Sequence, residues 1–170
     1  MLYILDFDHT LFDTDRFKSD AMRRGGNEDW VRPAIWDQFD ATQYLYSDTL
    51  PFLESVGVEN AIILTAMSPH LGPQTREFQK MKLERSGVRP YVKDIIFMEG
   101  DKGSYVADLC AHTQATFVDD TLDHLRSVQT LCPEVSLVHM VRTGSRTLPN
   151  NDAIPMCTAL RGCSFIEQTL

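Results

Sequence analysis

No stretch of this 170-residue chain approaches the roughly 18 consecutive apolar residues that a membrane-spanning helix requires. Membrane insertion is therefore not expected. A leader segment is not expected either, because Asp6 and Asp8 fall where its apolar stretch should lie. Cysteine is sparse: Cys110, Cys132, Cys157 and Cys163 form no C-x-x-C pair and lack the density of a disulfide scaffold. All four read as reduced thiols, and the protein as cytoplasmic. The five histidines are scattered, none at zinc-ligand spacing from a cysteine or another histidine, so each reads as a surface or core residue. Positive charge is also short, with 16 Lys and Arg against 24 Asp and Glu, a formal net charge of −8. That balance disfavours nonspecific nucleic-acid binding. Internal repeats and low-complexity tracts are absent. What remains is an ordinary globular composition, 43% hydrophobic and 24% charged, on a length suited to one domain with room for a small insert.

Five short apolar runs stand out: Leu2–Leu5, Ala61–Leu64, Ile95–Met98, Thr116–Val118 and Val135–Val141. Each is bounded by polar or turn residues and rich in β-branched or aromatic side chains, the pattern of a buried strand. Helical stretches separate them. Thr49–Val56 starts near Asp48 and stops at Gly57; Thr75–Ser86 stops at Gly87; Ser104–Ala111 and Leu122–Leu131 follow, the last ending before Pro133. Strands alternating with helices predict an α/β fold, a doubly wound parallel sheet covered on both faces.

One segment breaks the alternation. Nearly forty residues separate Thr10 from Asp48, too many for a simple strand-to-helix connection. Asp13–Arg24 reads as a helix ending at Gly25-Gly26, and Asn27–Phe39 as a second piece that Pro33 either kinks or restarts. The expected organisation is a core of residues 1–12 and 41–170 with a small helical insert, residues 13–40, after the first strand. Both tryptophans, Trp30 and Trp36, lie in the insert, which reads either as a lid or as a packing element. Arg16, Lys18, Arg23 and Arg24 are balanced there by Asp15, Asp20, Glu28 and Asp29, as on a solvated helix face. The stretch from Thr143 to Asn151 reads as a surface loop before a last apolar segment around Cys163–Leu170.

The chemistry concentrates at strand ends. Asp6 and Asp8 close the first strand two residues apart, so they share a side if the extended backbone continues. Close carboxylates repel unless they hold a divalent cation, share a proton or divide acid and nucleophile roles. Thr65 closes the second strand and is followed by Ala66; Lys102 lies just past the third; Asp119 and Asp120 close the fourth. Parallel strands bring these ends to one edge, where open α/β sheets bind ligands. Carboxylates, a hydroxyl and an ammonium are the parts that hold Mg²⁺ and a phosphate together.

In this order the motifs resemble the haloacid dehalogenase-like (HAD) superfamily of hydrolases. Leu5-Asp6-Phe7-Asp8-His9-Thr10-Leu11 is similar to its first motif, Ile63-Leu64-Thr65-Ala66 to its second, Lys102 to its third and Val118-Asp119-Asp120-Thr121-Leu122-Asp123 to its fourth. The resemblance spans Leu2 to about Val141. It departs at His9, where glycine is commoner, and in an insert shorter than the larger caps, which leaves substrate class open.

The resemblance implies a Rossmann-like HAD core and a phosphatase with a small helical cap: an Mg²⁺-dependent phosphomonoester hydrolase working through an aspartyl-phosphate. Asp6 would be the nucleophile, and Asp8 the acid that protonates the leaving oxygen and then activates water. Mg²⁺ would be held by the Asp6 carboxylate, the Asp8 main-chain carbonyl and Asp119, with Asp120 or Asp123 acting directly or in the outer shell. Thr65 and nearby amides, that of Ala66 among them, would bind the phosphoryl oxygens while Lys102 offsets their charge. The acid at position 8 favours phosphate chemistry over carbon–halogen cleavage.

Three other readings use similar parts. A two-component receiver domain carries its paired acids after the first strand but its phosphorylated Asp on a middle strand, and it has no long insert. A HAD-like binding module without catalysis would not need every motif residue intact. A phosphotransferase or mutase would use the same residues with another acceptor, and sequence does not separate it from a hydrolase. The expected partner is a phosphorylated substrate of unassigned identity, with no membrane partner, and a homo-oligomer remains open. A two-helix insert would leave the site partly open, to be covered by substrate or by a neighbouring subunit.

Overall fold

The computed structural model describes residues 1–25, 33–67, 74–110, 113–142 and 153–163. Strands β1 (Leu2–Leu5), β2 (Ala61–Ala66), β3 (Asp94–Met98), β4 (Ala115–Asp119), β5 (Ser136–Met140) and β6 (Met156–Cys157) form one sheet in the order β3-β2-β1-β4-β5-β6. Every pairing is parallel. Helices α1 (Thr14–Gly25), α2 (Pro33–Trp36), α3 (Thr49–Val56), α4 (Gln74–Arg85), α5 (Lys102–Cys110) and α6 (Leu122–Leu131) connect and cover it. The architecture is the expected doubly wound, Rossmann-like α/β sheet. Between β1 and β4 the strand order reverses direction along the chain, which opens a crevice at their carboxyl ends.

Strand alternation builds two cores. On one face Tyr3, Leu5, Ile63 and Val118 pack with Phe52 and Leu53 of α3 and Phe78 and Leu83 of α4. On the other face Ile4, Leu64 and Phe117 pack with Val106 of α5 and Leu122, Leu125 and Val128 of α6. Successive residues of one strand thus enter opposite cores, as the two-residue period requires. Helices α5 and α6 meet at Gly103, where a Cβ would lie 2.9 Å from both the Ser127 carbonyl oxygen and Leu131 Cδ1. Only glycine admits that approach, which seats the start of α5, and with it Lys102, against the sheet edge.

Helix α2 begins at Pro33, so the proline opens a separate helix. Trp36, 4% exposed, packs against Phe78 of α4 with ring centroids 4.4 Å apart and the rings tilted by 47°. Phe17 of α1 joins the same aromatic group through Phe78, and Phe39 and Tyr44 pack on Phe17. The described part of the insert therefore docks on α4, and Trp36 is a packing residue. Trp30 lies outside the described residues, as does most of the last apolar segment.

Two expectations need correction. Strand β6 was not foreseen: two residues carry no readable periodicity, and its pairing with His139 and Met140 is wholly long-range. The four cysteines are not all reduced thiols, because Cys157 and Cys163 form a disulfide across a six-residue separation. The chain folds back after β6 through Gly162, at φ +75°, a closure that spacing alone does not reveal. Cys110 and Cys132 are free and buried, and burial pushes the Cys110 thiol up to about 11. With one pair bonded, cysteine usage no longer argues for a reducing compartment. Among the described residues no helix is long and apolar enough to cross a membrane.

Candidate active site

Register decides which acids meet. Leu5 of β1 lies opposite Val118 of β4, and the Asp6 amide continues the ladder by donating to the Val118 carbonyl at 2.9 Å. Asp6 and Asp119 therefore leave neighbouring strands side by side, and Asp120 follows. Carboxylate oxygens of Asp6, Asp119 and Asp120 all lie within 4.8 Å of one another.

Lys102 enters this group from the first turn of α5 and is fully buried. An ammonium at a helix N-terminus faces the positive end of the helix dipole and, without water, needs carboxylates. It donates to Asp6 Oδ1 at 2.5 Å and to Asp119 Oδ2 at 2.8 Å. Burial alone would lower its pKa, but the Asp119 and Asp6 charges outweigh this and hold it above the usual lysine range. Asp119 also accepts from the Thr121 amide at 2.8 Å and meets His124 Nδ1 at 3.2 Å. Burial would raise Asp119, yet Lys102 and His124 together hold it below the usual carboxylate range.

Asp6 and Asp120 are less well compensated. Burial pushes Asp6 up to about 7; Lys102 opposes the rise, while Asp119 and Asp8 add to it. Burial, then the charges of Asp6 and Asp119, push Asp120 up to about 8. The Asp120 carboxylate has a long hydrogen bond from Thr121 Oγ1, at 3.4 Å. Asp6 Oδ2 is buried with no hydrogen-bond partner. An orphaned carboxylate oxygen beside an under-compensated acid fits a hard divalent cation, which takes oxygen ligands and supplies the missing charge.

Asp8 does not share this compensation. The extended backbone stops at Leu5, and His9 adopts a left-handed conformation at φ 59°, which accounts for a glycine-like position at the turn. The Asp8 carboxylate instead reaches α4 and α1. Oδ1 accepts hydrogen bonds from Lys82 and Thr14, and Oδ2 accepts from Gln79 at 2.5 Å. Burial would raise Asp8, but Lys82, helped by the Thr14 and Gln79 hydrogen bonds, lowers it to about 2. Gln79 Nε2 also donates to Thr65 Oγ1 at 2.7 Å. Thr65 is buried at the end of β2, opposite Phe97 of β3, with Ala66 beyond it opposite Met98. Since Gln79 occupies an acceptor site on Thr65, the hydroxyl proton is left for an anion at the sheet edge.

The structure thus gathers Asp6, Asp119, Asp120 and Lys102 into one cluster and links Asp8 to Thr65 through Gln79. Asp123, expected as an outer-shell ligand, does not join: its side chain is 86% exposed and pairs with Arg126 at 3.0 Å on the surface of α6. Two residues past Thr121, in the first turn of α6, it lies on the outward face of the helix.

Sequence reasoning missed four contributors. Lys82 and Gln79 sit among the apolar Phe78, Met81 and Leu83 in a helix whose polar residues read as solvated. His124 was set aside because no zinc spacing involved it. Arg142, just past β5, is buried and donates to the Thr10 carbonyl through Nε at 3.0 Å and Nη2 at 2.7 Å. It also pairs with Asp48 at 2.8 Å, and Asp48 accepts from the Leu160 amide at 2.6 Å. This clamp ties the turn after Asp8 to the end of the sheet. Its only sequence signal was a lone arginine after an apolar strand.

The sequence matches no family model and no curated protein. Solved structures do match. A haloacid dehalogenase-like hydrolase of Burkholderia xenovorans LB400 superposes with TM-score 0.63 at 15% identity, over 94% of this chain and 92% of that one. A HAD-hydrolase of Bacillus subtilis, solved bound to magnesium, gives 0.62 at 13% identity over 94% of each chain. A haloacid dehalogenase-like family hydrolase of Xanthomonas campestris gives 0.60 at 11% identity, over 93% and 90%. Over nearly its whole length, then, this chain has the fold of the haloacid dehalogenase-like hydrolases.

Proposed function

We propose that the protein is a phosphomonoester hydrolase that uses Mg²⁺ and passes through a phosphoryl group on Asp6. The observation that carries this reading is the unpartnered, buried Asp6 Oδ2, on a carboxylate grouped with those of Asp119 and Asp120 at the switch point of the sheet, with Lys102 fixed on Oδ1. Bound there, a divalent cation would neutralise phosphoryl oxygens and keep Asp6 ionised. Asp6, Asp120 and the Asp8 main-chain carbonyl are the groups that would hold it. Asp119, held by Lys102 and His124, lies in the same group and would complete the seat. The magnesium reported in the Bacillus subtilis structure of the same fold supports this choice of ion.

In this reading Asp6 attacks phosphorus, forming a P–O bond to its carboxylate as the bond to the leaving oxygen breaks. Thr65 donates to a phosphoryl oxygen, and Lys102 offsets charge on the group as it transfers. Lys82 keeps Asp8 ionised in the free protein. The negative charge of an incoming phosphate opposes this, so that Asp8 takes up a proton in the complex and gives it to the leaving oxygen; as carboxylate it then takes one from the water that hydrolyses the intermediate. The expected result is hydrolysis of an aryl phosphate that stops with EDTA and returns with added Mg²⁺. Equal rates in both conditions would remove the metal from the proposal.

Residues 13–40 are proposed to border the pocket and not to seal it. Because Trp36 is buried against Phe78, Trp36→Ala is expected to cost about 3–5 kcal/mol of stability in a urea melt. KM for the aryl phosphate should stay near the wild-type value. A large rise in KM with unchanged stability would show that the ring faces substrate.

A further inference from the structure

Helix α4 turns an unusual face to the core. Gln79, Lys82, Leu83 and Ser86, spaced three and four residues apart, are all buried. Burying an amide and an ammonium on an inward face is costly unless both are used. Both are directed at the same carboxylate: Lys82 Nζ donates to Asp8 Oδ1 and Gln79 Nε2 to Asp8 Oδ2. The Lys82 ammonium is otherwise enclosed by aromatic rings, 5.5 Å from the centroids of Phe7 and Phe12 and 5.1 Å from that of Phe78. Those rings fix where the ammonium can sit, and the ammonium fixes where Oδ1 can point. Gln79 bonds Thr65 with the same nitrogen, so one amide holds the acid and the threonine hydroxyl in a constant relation.

Resting on the hydrolase reading above, we infer that Lys82 and Gln79 are positioning residues for Asp8. They aim its carboxylate at the place where the leaving oxygen, and later the attacking water, must lie. The aim comes from α4, outside all four sequence motifs. A misdirected acid loses most where protonation of the leaving group matters, since a displacement of about 1 Å can cost on the order of 100-fold. An alkyl phosphate needs that proton; a dinitrophenyl phosphate does not.

The test compares Lys82→Met and Gln79→Met with the wild-type protein in Mg²⁺, on an alkyl phosphate and on 2,4-dinitrophenyl phosphate. The quantity read is kcat/KM, which reports the steps up to departure of the leaving group. The expected loss is about 100-fold on the alkyl ester and about 3-fold on the dinitrophenyl ester. Gln79→Met strands no charge, so it carries the test if Lys82→Met does not fold. Equal losses on the two esters would mean that these residues bind the phosphoryl group or merely stabilise the fold, and would overturn the inference. So would no loss on either ester. A wild-type protein inactive on both esters would instead overturn the hydrolase reading itself.

Discussion

Asp6→Asn is expected to bring phosphomonoester turnover to background, a fall on the order of 10⁴-fold or more, while leaving the protein folded. The amide is a poor nucleophile and a weaker cation ligand. Stability should not fall with activity, because Asp6 is an acid the fold holds with difficulty. Burial raises it to about 7, above its ordinary value of 3.8. A carboxyl group raised on folding contributes stability that is fully present below the unfolded value and lost as pH rises through the folded one. Without added metal, the wild-type protein should therefore lose stability between about pH 4 and pH 8, a loss that Asp120, raised to about 8, reinforces. Asp6→Asn should flatten that decline, since Lys102 keeps Asp119 as a partner. It should also diminish the thermal shift that several millimolar Mg²⁺ produces in the wild type. Near-wild-type kcat in this variant would show that Asp6 is not the nucleophile.

Asp8→Asn has the opposite signature: a loss of stability as well as of rate. Its partner Lys82 is 4% exposed and set among three aromatic rings. Removing the carboxylate charge strands that ammonium, and breaking a buried pair from one side costs about 3–5 kcal/mol. In the wild type the pair's contribution should be fully present above pH 3.8 and lost as pH falls through about 2, since Asp8 is lowered to about 2 on folding. Hydrolysis of alkyl phosphates should fall by roughly 10²–10⁴-fold, the usual worth of a positioned general acid. Slow phosphoryl transfer to Asp6 from an activated aryl donor should survive. Adding Lys82→Met to Asp8→Asn is expected to return most of the lost stability, because removing both partners leaves no unpaired charge. Urea melts of the two single variants and the double variant measure this. An additive double variant would show that the two side chains are not coupled.

The two clusters differ in how far they could be read beforehand. Asp6, Lys102, Asp119 and Asp120 lie at the ends of elements whose period and boundaries are local properties of the chain. Once the sheet was expected to be parallel, their convergence followed from topology. The same reasoning placed Thr65 at the edge. It failed for Asp123, because whether a residue in the first turn of a helix faces the crevice or solvent depends on the helix's rotation, which neighbouring packing sets. It failed again for Cys157 and Cys163, whose pairing depends on a two-residue strand added at the edge of the sheet.

The fold class, the succession of β1 to β5 along the chain and the acid–threonine–lysine–acid set were determined by the sequence alone. Apolar runs of strand length, separated by helical stretches with glycine and proline stops, admit few other arrangements. What only the tertiary structure decided is how the two acids of the first motif divide. Asp6 turns to Lys102 and the β4 acids, and Asp8 to Lys82 and Gln79, because α5 brings one buried ammonium to the first carboxylate and α4 brings another, with an amide, to the second. A lysine and a glutamine one helical turn apart look like any solvated pair in a sequence. Burial alone makes them the surroundings of an acid, and burial is set by the packing of α4 against β1 and the insert, a property of contacts distant along the chain.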